Sequence, residues 1–162
     1  MPRIKSVGHV GLYVNDLERS KDFYTRVIGM TVSDVGETEN LFMTPDPKQD
    51  HHQLVLAGGR TPSEGARVVQ QVSFKVEDLD TLKAYKAHLE KEGVPIARTV
   101  SHGHSASIYL NDPDGNLVEL YYPTPYESPP FGKPLDLDQP NEAILADVRA
   151  SIQEKWGTKV VQ

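Results

Sequence analysis

Polar and apolar positions alternate along His9-Val-Gly-Leu-Tyr-Val and again along Gln71-Val-Ser-Phe-Lys-Val. This is the period-two pattern of a strand with one buried face. Both runs end in an acidic-Leu step, with Asp16 and Asp78 at matching places. The spacing then becomes helical, through Leu17, Phe23, Tyr24 and Val27 in the first copy and Leu79, Leu82, Tyr85 and Leu89 in the second. Asp16 and Asp78 are the expected N-caps, and Gly29 and Gly93 the expected left-handed stops. Three strand-like runs follow each helix, at 30–35, 41–44 and 52–57 and at 95–100, 106–110 and 117–122. Asp46-Pro-Lys-Gln-Asp and Asp112-Pro-Asp-Gly break them as turns, and 58–67 reads as the link between halves.

The chain is thus expected to be α+β, with two βαβββ modules at 4–58 and 67–123 inside one domain, 1–123. Four strands and one helix cannot cover both faces of a sheet, so the modules are expected to pair around an open, half-barrel cavity. Residues 124–162 differ in kind. A proline-rich strap leads to Pro140, which opens a helix with Ile144, Leu145, Val148, Ile152 and Trp156 on one stripe. That stripe is expected to dock on the domain or on a second subunit. Exposed strand edges together with this helix point to a homodimer.

Composition narrows the chemistry. There is no cysteine, which excludes disulfides, thiolate metal sites and a cysteine nucleophile. Seventeen basic against 23 acidic residues leave a net charge of −6, which disfavours nucleic acid as a partner. The mean hydropathy of −0.47 and the lack of a long apolar run or signal-peptide pattern suggest a cytoplasmic protein with no membrane partner.

Candidate chemistry lies at the strand ends. His9 and Gln71 occupy equivalent places in the repeat, and Glu119 is a lone carboxylate inside the apolar run Leu117-Val-Glu-Leu-Tyr-Tyr. A buried carboxylate without compensation is costly. It implies a bound cation, a basic partner or an exposed edge. His51-His52 opens the last strand of the first half; strict alternation turns one of the two inward, and His51 is expected to face away.

These residues resemble the vicinal oxygen chelate superfamily, which includes glyoxalase I, methylmalonyl-CoA epimerase, fosfomycin- and bleomycin-resistance proteins and type I extradiol dioxygenases. The resemblance is carried by His9-Val-Gly-Leu-Tyr-Val-Asn-Asp-Leu, Phe23-Tyr24, Val27-Ile-Gly-Met, the second copy from Gln71, and Asp112-Pro-Asp-Gly-Asn-Leu-Val-Glu119. His51-His52-Gln-Leu-Val-Leu-Ala, Ser107-Ile-Tyr109 and the loop His102-Gly-His104 resemble the extradiol dioxygenase branch. The resemblance implies a divalent metal, with Fe(II) favoured and Mn(II), Co(II), Ni(II) or Zn(II) possible, held by His9, Gln71 and Glu119. Gln71 stands where that branch has its second histidine, and other members place glutamine at metal positions. The resemblance further implies His52 as acid–base, Tyr109 and His102 at the substrate, and a catechol-like small molecule with vicinal oxygens as substrate. Three alternatives remain at this point. His52 is itself a ligand, the chemistry is that of a glyoxalase- or epimerase-like isomerase or lyase, or the cavity binds a small molecule without metal.

Overall fold

Backbone hydrogen bonding assembles two sheets, of four and five strands, neither closed into a barrel. The computed structural model describes residues 7–36, 40–60, 69–129 and 131–157. The chain divides into two units, Met1–Val68 with Asp112–Asp114, and Val69–Asn111 with Gly115–Gln162.

The first unit runs β1 (Val10–Tyr13), α1 (Leu17–Asp22), β2 (Thr31–Val35), β3 (Leu41–Thr44) and β4 (Leu54–Ala57). Its sheet order is β1-β4-β3-β2, with β1 parallel to β4 and the other pairs antiparallel. Asp16 caps α1 by accepting from the Arg19 amide at 2.9 Å. The helical segment predicted up to Gly29 is α-helical only to Asp22 and continues as a π-helical turn, Phe23–Val27. That turn buries Phe23, Tyr24 and Val27, and Gly29 ends it at a φ of 85°. Leu12, Leu41, Met43, Leu54 and Leu56 form the buried side of the sheet.

Asp112–Asp114, in the chain between the last two long strands, belongs by its contacts to this first unit. Asp114 accepts from the Asn15 amide at 2.8 Å and from Asn15 Nδ2 at 2.7 Å. Arg60 Nη1 lies 3.9 Å from its carboxylate, whose side chain is only 4% exposed. The buried Tyr24 hydroxyl donates to Asp112 at 3.1 Å, and burial followed by the Asp112 charge pushes the phenol pKa up. Asp112 and Asp114 thus bond to side chains of the first unit as well as forming a turn.

The second unit repeats the plan with β5 (Val72–Lys75), α2 (Leu79–Lys91), β6 (Ile96–Ser101), β7 (Ser105–Asn111) and β8 (Leu117–Pro123). Asp78 caps α2 by accepting from the Thr81 amide at 2.7 Å. Gly93 follows the helix at a φ of 66°. β5 is parallel to β8 and β7 antiparallel to both its neighbours. Even the irregularities repeat, since β2 is bulged between Val32 and Asp34 and β6 between Ile96 and Arg98.

The C-terminal segment adds one element that the sequence pattern did not predict. β9 (Lys133–Pro134) pairs antiparallel with β6 and covers that edge of the sheet. Leu135 and Leu137 are buried beyond it, and α3 (Asn141–Trp156) follows. Lys133 Nζ meets Asp147 on α3 at 2.7 Å, and Asn141 donates to Asp80 on α2 at 2.6 Å. Ile144, Val148 and Ile152 form the buried stripe, as predicted. Trp156 departs from it at 46% exposed, and Ser151 is buried instead. Among the described residues no helix is long and apolar enough to cross a membrane.

Candidate functional site

Strand register places four polar side chains in one row across the second sheet. Ser73 on β5, Glu119 on β8, Tyr109 on β7 and Arg98 on β6 are successive cross-strand partners. Alternation then puts them on a common face. Glu119 is 7% exposed and has three hydrogen-bond donors. Ser73 Oγ donates to Oε2 at 2.6 Å, Gln71 Nε2 donates to Oε2 at 3.0 Å, and Tyr109 OH donates to Oε1 at 2.7 Å. Neutral donors thus compensate the carboxylate, not the lysine or arginine considered from sequence. Burial raises the Glu119 pKa, but the hydrogen bonds from Ser73 and Tyr109 and the nearby His102 outweigh it and hold the group below its usual range.

Tyr109 is the hinge of a longer chain of contacts. His102 Nε2 lies 2.8 Å from its hydroxyl, and the Arg98 guanidinium sits 4.2 Å from its ring centroid. Burial, then the hydrogen bond to Glu119, pushes the phenol up to about 12, so it stays protonated at neutral pH. One phenolic proton faces two acceptor-capable neighbours, Glu119 and His102, which makes the hydroxyl a point where a proton can be exchanged. These groups line a cavity of about 460 Å³ together with His104, Ser105 and Tyr121. That size is within the range of small-molecule sites.

The first unit gathers the other predicted residues. His9 and His52 have ring centroids 4.5 Å apart, and Phe42 stands edge-on to His52 at 4.9 Å. His52 is partly covered, and burial followed by the neighbouring His9 and His51 lowers its pKa, favouring the neutral imidazole. The expectation that His51 faces away from His52 is overturned. Their Nδ1 atoms are 2.8 Å apart, and His51 Nε2 reaches Asp34 at 3.4 Å. The reason is local: β4 begins at Leu54 and not at residue 52, so the histidine pair lies in a bend where strand alternation does not hold. His51 is nevertheless on the surface, as expected.

The predicted residues therefore fall into two groups. Gln71, Tyr109, His102 and Glu119 are hydrogen-bonded together in the second unit, and His9 and His52 are in ring contact in the first. Ser73 and Arg98 were not singled out from sequence. Ser73 is two residues beyond Gln71 on an alternating strand, a signal that points at it once Gln71 is suspected. Arg98 follows a bulge, and no sequence pattern reveals that register.

The donor chemistry fits a divalent cation. Glu119 offers an ionised carboxylate and Gln71 a neutral amide oxygen. Here the Gln71 amide turns its nitrogen to Glu119 and its oxygen to Gln70 Nε2 at 3.2 Å. A half-turn of that terminal amide presents the oxygen instead, and Ser73 and Tyr109 remain to orient the carboxylate. Among the described residues no group of three or more histidine, aspartate or glutamate side chains is arranged to hold a metal.

Comparison with known proteins gives the same frame. The family described as the Glyoxalase/Bleomycin resistance protein/Dioxygenase superfamily matches residues 6–120. The chain is 34% identical over 118 residues to biphenyl-2,3-diol 1,2-dioxygenase 2 of Rhodococcus globerulus, covering 69% of this chain and 60% of that protein. It is 32% identical over 125 residues to the glyoxalase domain-containing protein RDO1 of Mycosarcoma maydis, covering 72% and 68% respectively. The match thus leaves about two fifths of the Rhodococcus enzyme unspanned. Among solved structures, FosX of Listeria monocytogenes in complex with Mn(II) and a dihydroxypropylphosphonic acid shares the fold at a TM-score of 0.60. The identity is 20%, covering 75% of this chain and 93% of that one.

Proposed function

Since the chain belongs to the Glyoxalase/Bleomycin resistance protein/Dioxygenase superfamily, we propose that it is a divalent-metal enzyme of the extradiol, ring-cleaving dioxygenase kind. Its substrate is a catechol-like molecule with vicinal oxygens. The observation that carries this reading is the Glu119–Tyr109–His102 chain, with hydrogen bonds of 2.7 and 2.8 Å beside a cavity of small-molecule size. The 34% identity to a biphenyl-diol dioxygenase supports the reaction class.

The proposal assigns the metal to His9, Gln71 and Glu119, the first of these on the sequence resemblance. Fe(II) in such a set supplies Lewis acidity towards the catechol hydroxyls and a place for dioxygen. The protein's own groups do the remaining work. Tyr109, protonated at neutral pH and held in place by Glu119 and His102, presents its hydroxyl oxygen to a substrate hydroxyl. His52, favoured in its neutral form, takes a proton and returns it.

A second reading has its own support. A glutamine in the ligand set, a neutral oxygen donor that suits harder ions, favours a glyoxalase- or epimerase-like isomerase or lyase that moves a proton without dioxygen. Elemental analysis of protein purified anaerobically, wild type against Glu119→Ala, decides between them. Near-stoichiometric iron that vanishes in the variant, with oxygen uptake on a catechol panel, supports the dioxygenase. Retention of Mn(II), Co(II) or Ni(II) without oxygen uptake supports the isomerase. Protein that takes up no divalent metal overturns both.

A further inference from the structure

The histidine that meets Tyr109 is held from its other side by the C-terminal segment. His102 Nδ1 lies 2.6 Å from the Phe131 main-chain carbonyl oxygen. A carbonyl only accepts, so Nδ1 carries a proton and donates it there. With that nitrogen committed, Nε2 is the one left facing the Tyr109 hydroxyl at 2.8 Å. The ring is thereby fixed in rotamer and in the nitrogen it shows to the cavity.

The Phe131 carbonyl is placed by contacts on both sides of it. Just upstream, Thr124 Oγ1 donates to the Gly103 carbonyl at 2.6 Å, and the Thr124 amide donates to the His104 carbonyl at 3.0 Å. Just downstream, β9 pairs with β6 and Lys133 is tied to Asp147 on α3. Lys155 Nζ stands 5.5 Å over the Phe131 ring. Gly103 supplies the room: at a φ of +80° its missing Cβ would fall 2.6 Å from Phe131 Cε1 and against Ser128 Oγ. Only glycine lets the segment close onto the histidine loop.

We infer that Phe131 is a positioning residue that acts through its main-chain carbonyl, fixing the ring orientation and the Nδ1 proton of His102. The segment that follows the family-matched residues 6–120 thereby forms part of the site. This holds whichever cation the protein takes, and its test uses metal-free protein, so the two readings fail separately.

The measurement is nitrogen-15 NMR of the full chain labelled at histidine, with His102 assigned by the signals lost in His102→Gln. A protected, downfield Nδ1 proton on His102 is expected in the wild type. Phe131→Ala and Gly103→Ala each loosen the segment and speed exchange of that proton by at least about tenfold, the scale of one lost hydrogen bond. Phe131→Leu, which keeps the bulk and the carbonyl position, retains slow exchange. Should Gly103→Ala fail to fold, Phe131→Ala decides. A wild-type His102 protonated only at Nε2, or exchange unchanged in Phe131→Ala, overturns the inference.

Discussion

In the first unit the residues Gly11, Val55, Phe42 and Asp34 form one cross-strand row over β1, β4, β3 and β2. The equivalent row in the second unit, over β5, β8, β7 and β6, is Ser73, Glu119, Tyr109 and Arg98. The two sheets share strand order, parallel pair and bulge, so the same backbone positions carry an apolar centre in one copy and a hydrogen-bonded carboxylate in the other. Their polar chemistry sits at different depths. In the first unit it has moved off the strands, to His9 ahead of β1 and to the His51-His52 bend ahead of β4. There it is exposed or half-covered. In the second it lies within the sheet, where Glu119 and Tyr109 are buried and hydrogen-bonded to each other. A repeat thus sets where a side chain can be placed, while the residue type and its cross-strand neighbours set what it can do.

That contrast can be broken at four points. Glu119→Ala has the largest expected effect: the second row becomes as unable to hold a charge as Gly11-Val55-Phe42, and metal retention falls to background by elemental analysis. His52→Ala tests the half-exposed cluster. Turnover drops about a hundredfold with metal content unchanged, as for loss of a general acid–base; loss of metal instead identifies His52 as a ligand. Asp114→Ala removes the acceptor of two Asn15 hydrogen bonds and the neighbour of Arg60 from a buried place. A loss of about 2–3 kcal/mol is expected from the denaturant midpoint. Gly93→Ala probes the helix stop. A Cβ there meets nothing within 4 Å, so only the left-handed strain is felt, about 1 kcal/mol by the same measurement.

Much of the fold is legible in the sequence. The repeat, both Asp caps, both glycine stops and nearly every strand follow from short-range patterns. Such patterns are fixed by hydrogen bonds within a few residues and by the period of the backbone. The misses share a cause. The π-helical turn at Phe23–Val27 keeps the apolar residues of a helix and changes only the hydrogen-bond step. β9 contains a proline, and its strand character comes from β6 beside it. His51 and His52 look like strand residues because Leu54–Ala57 is one, and the bend before it has no sequence mark.

For the site, the sequence alone determined which residue types could bear chemistry: His9, Gln71 and Glu119 stand out by repeat position or by polarity in an apolar run, and His52, Tyr109 and His102 by the family resemblance of the motifs that hold them. Only the tertiary structure decided what compensates Glu119. The answer is three neutral donors, brought to one carboxylate by the pairing of β5, β8 and β7. It also decided that the proline-rich segment reaches back to His102 through a main-chain carbonyl. A carbonyl is present in every residue, so no sequence pattern marks the one that matters; register and chain path select it.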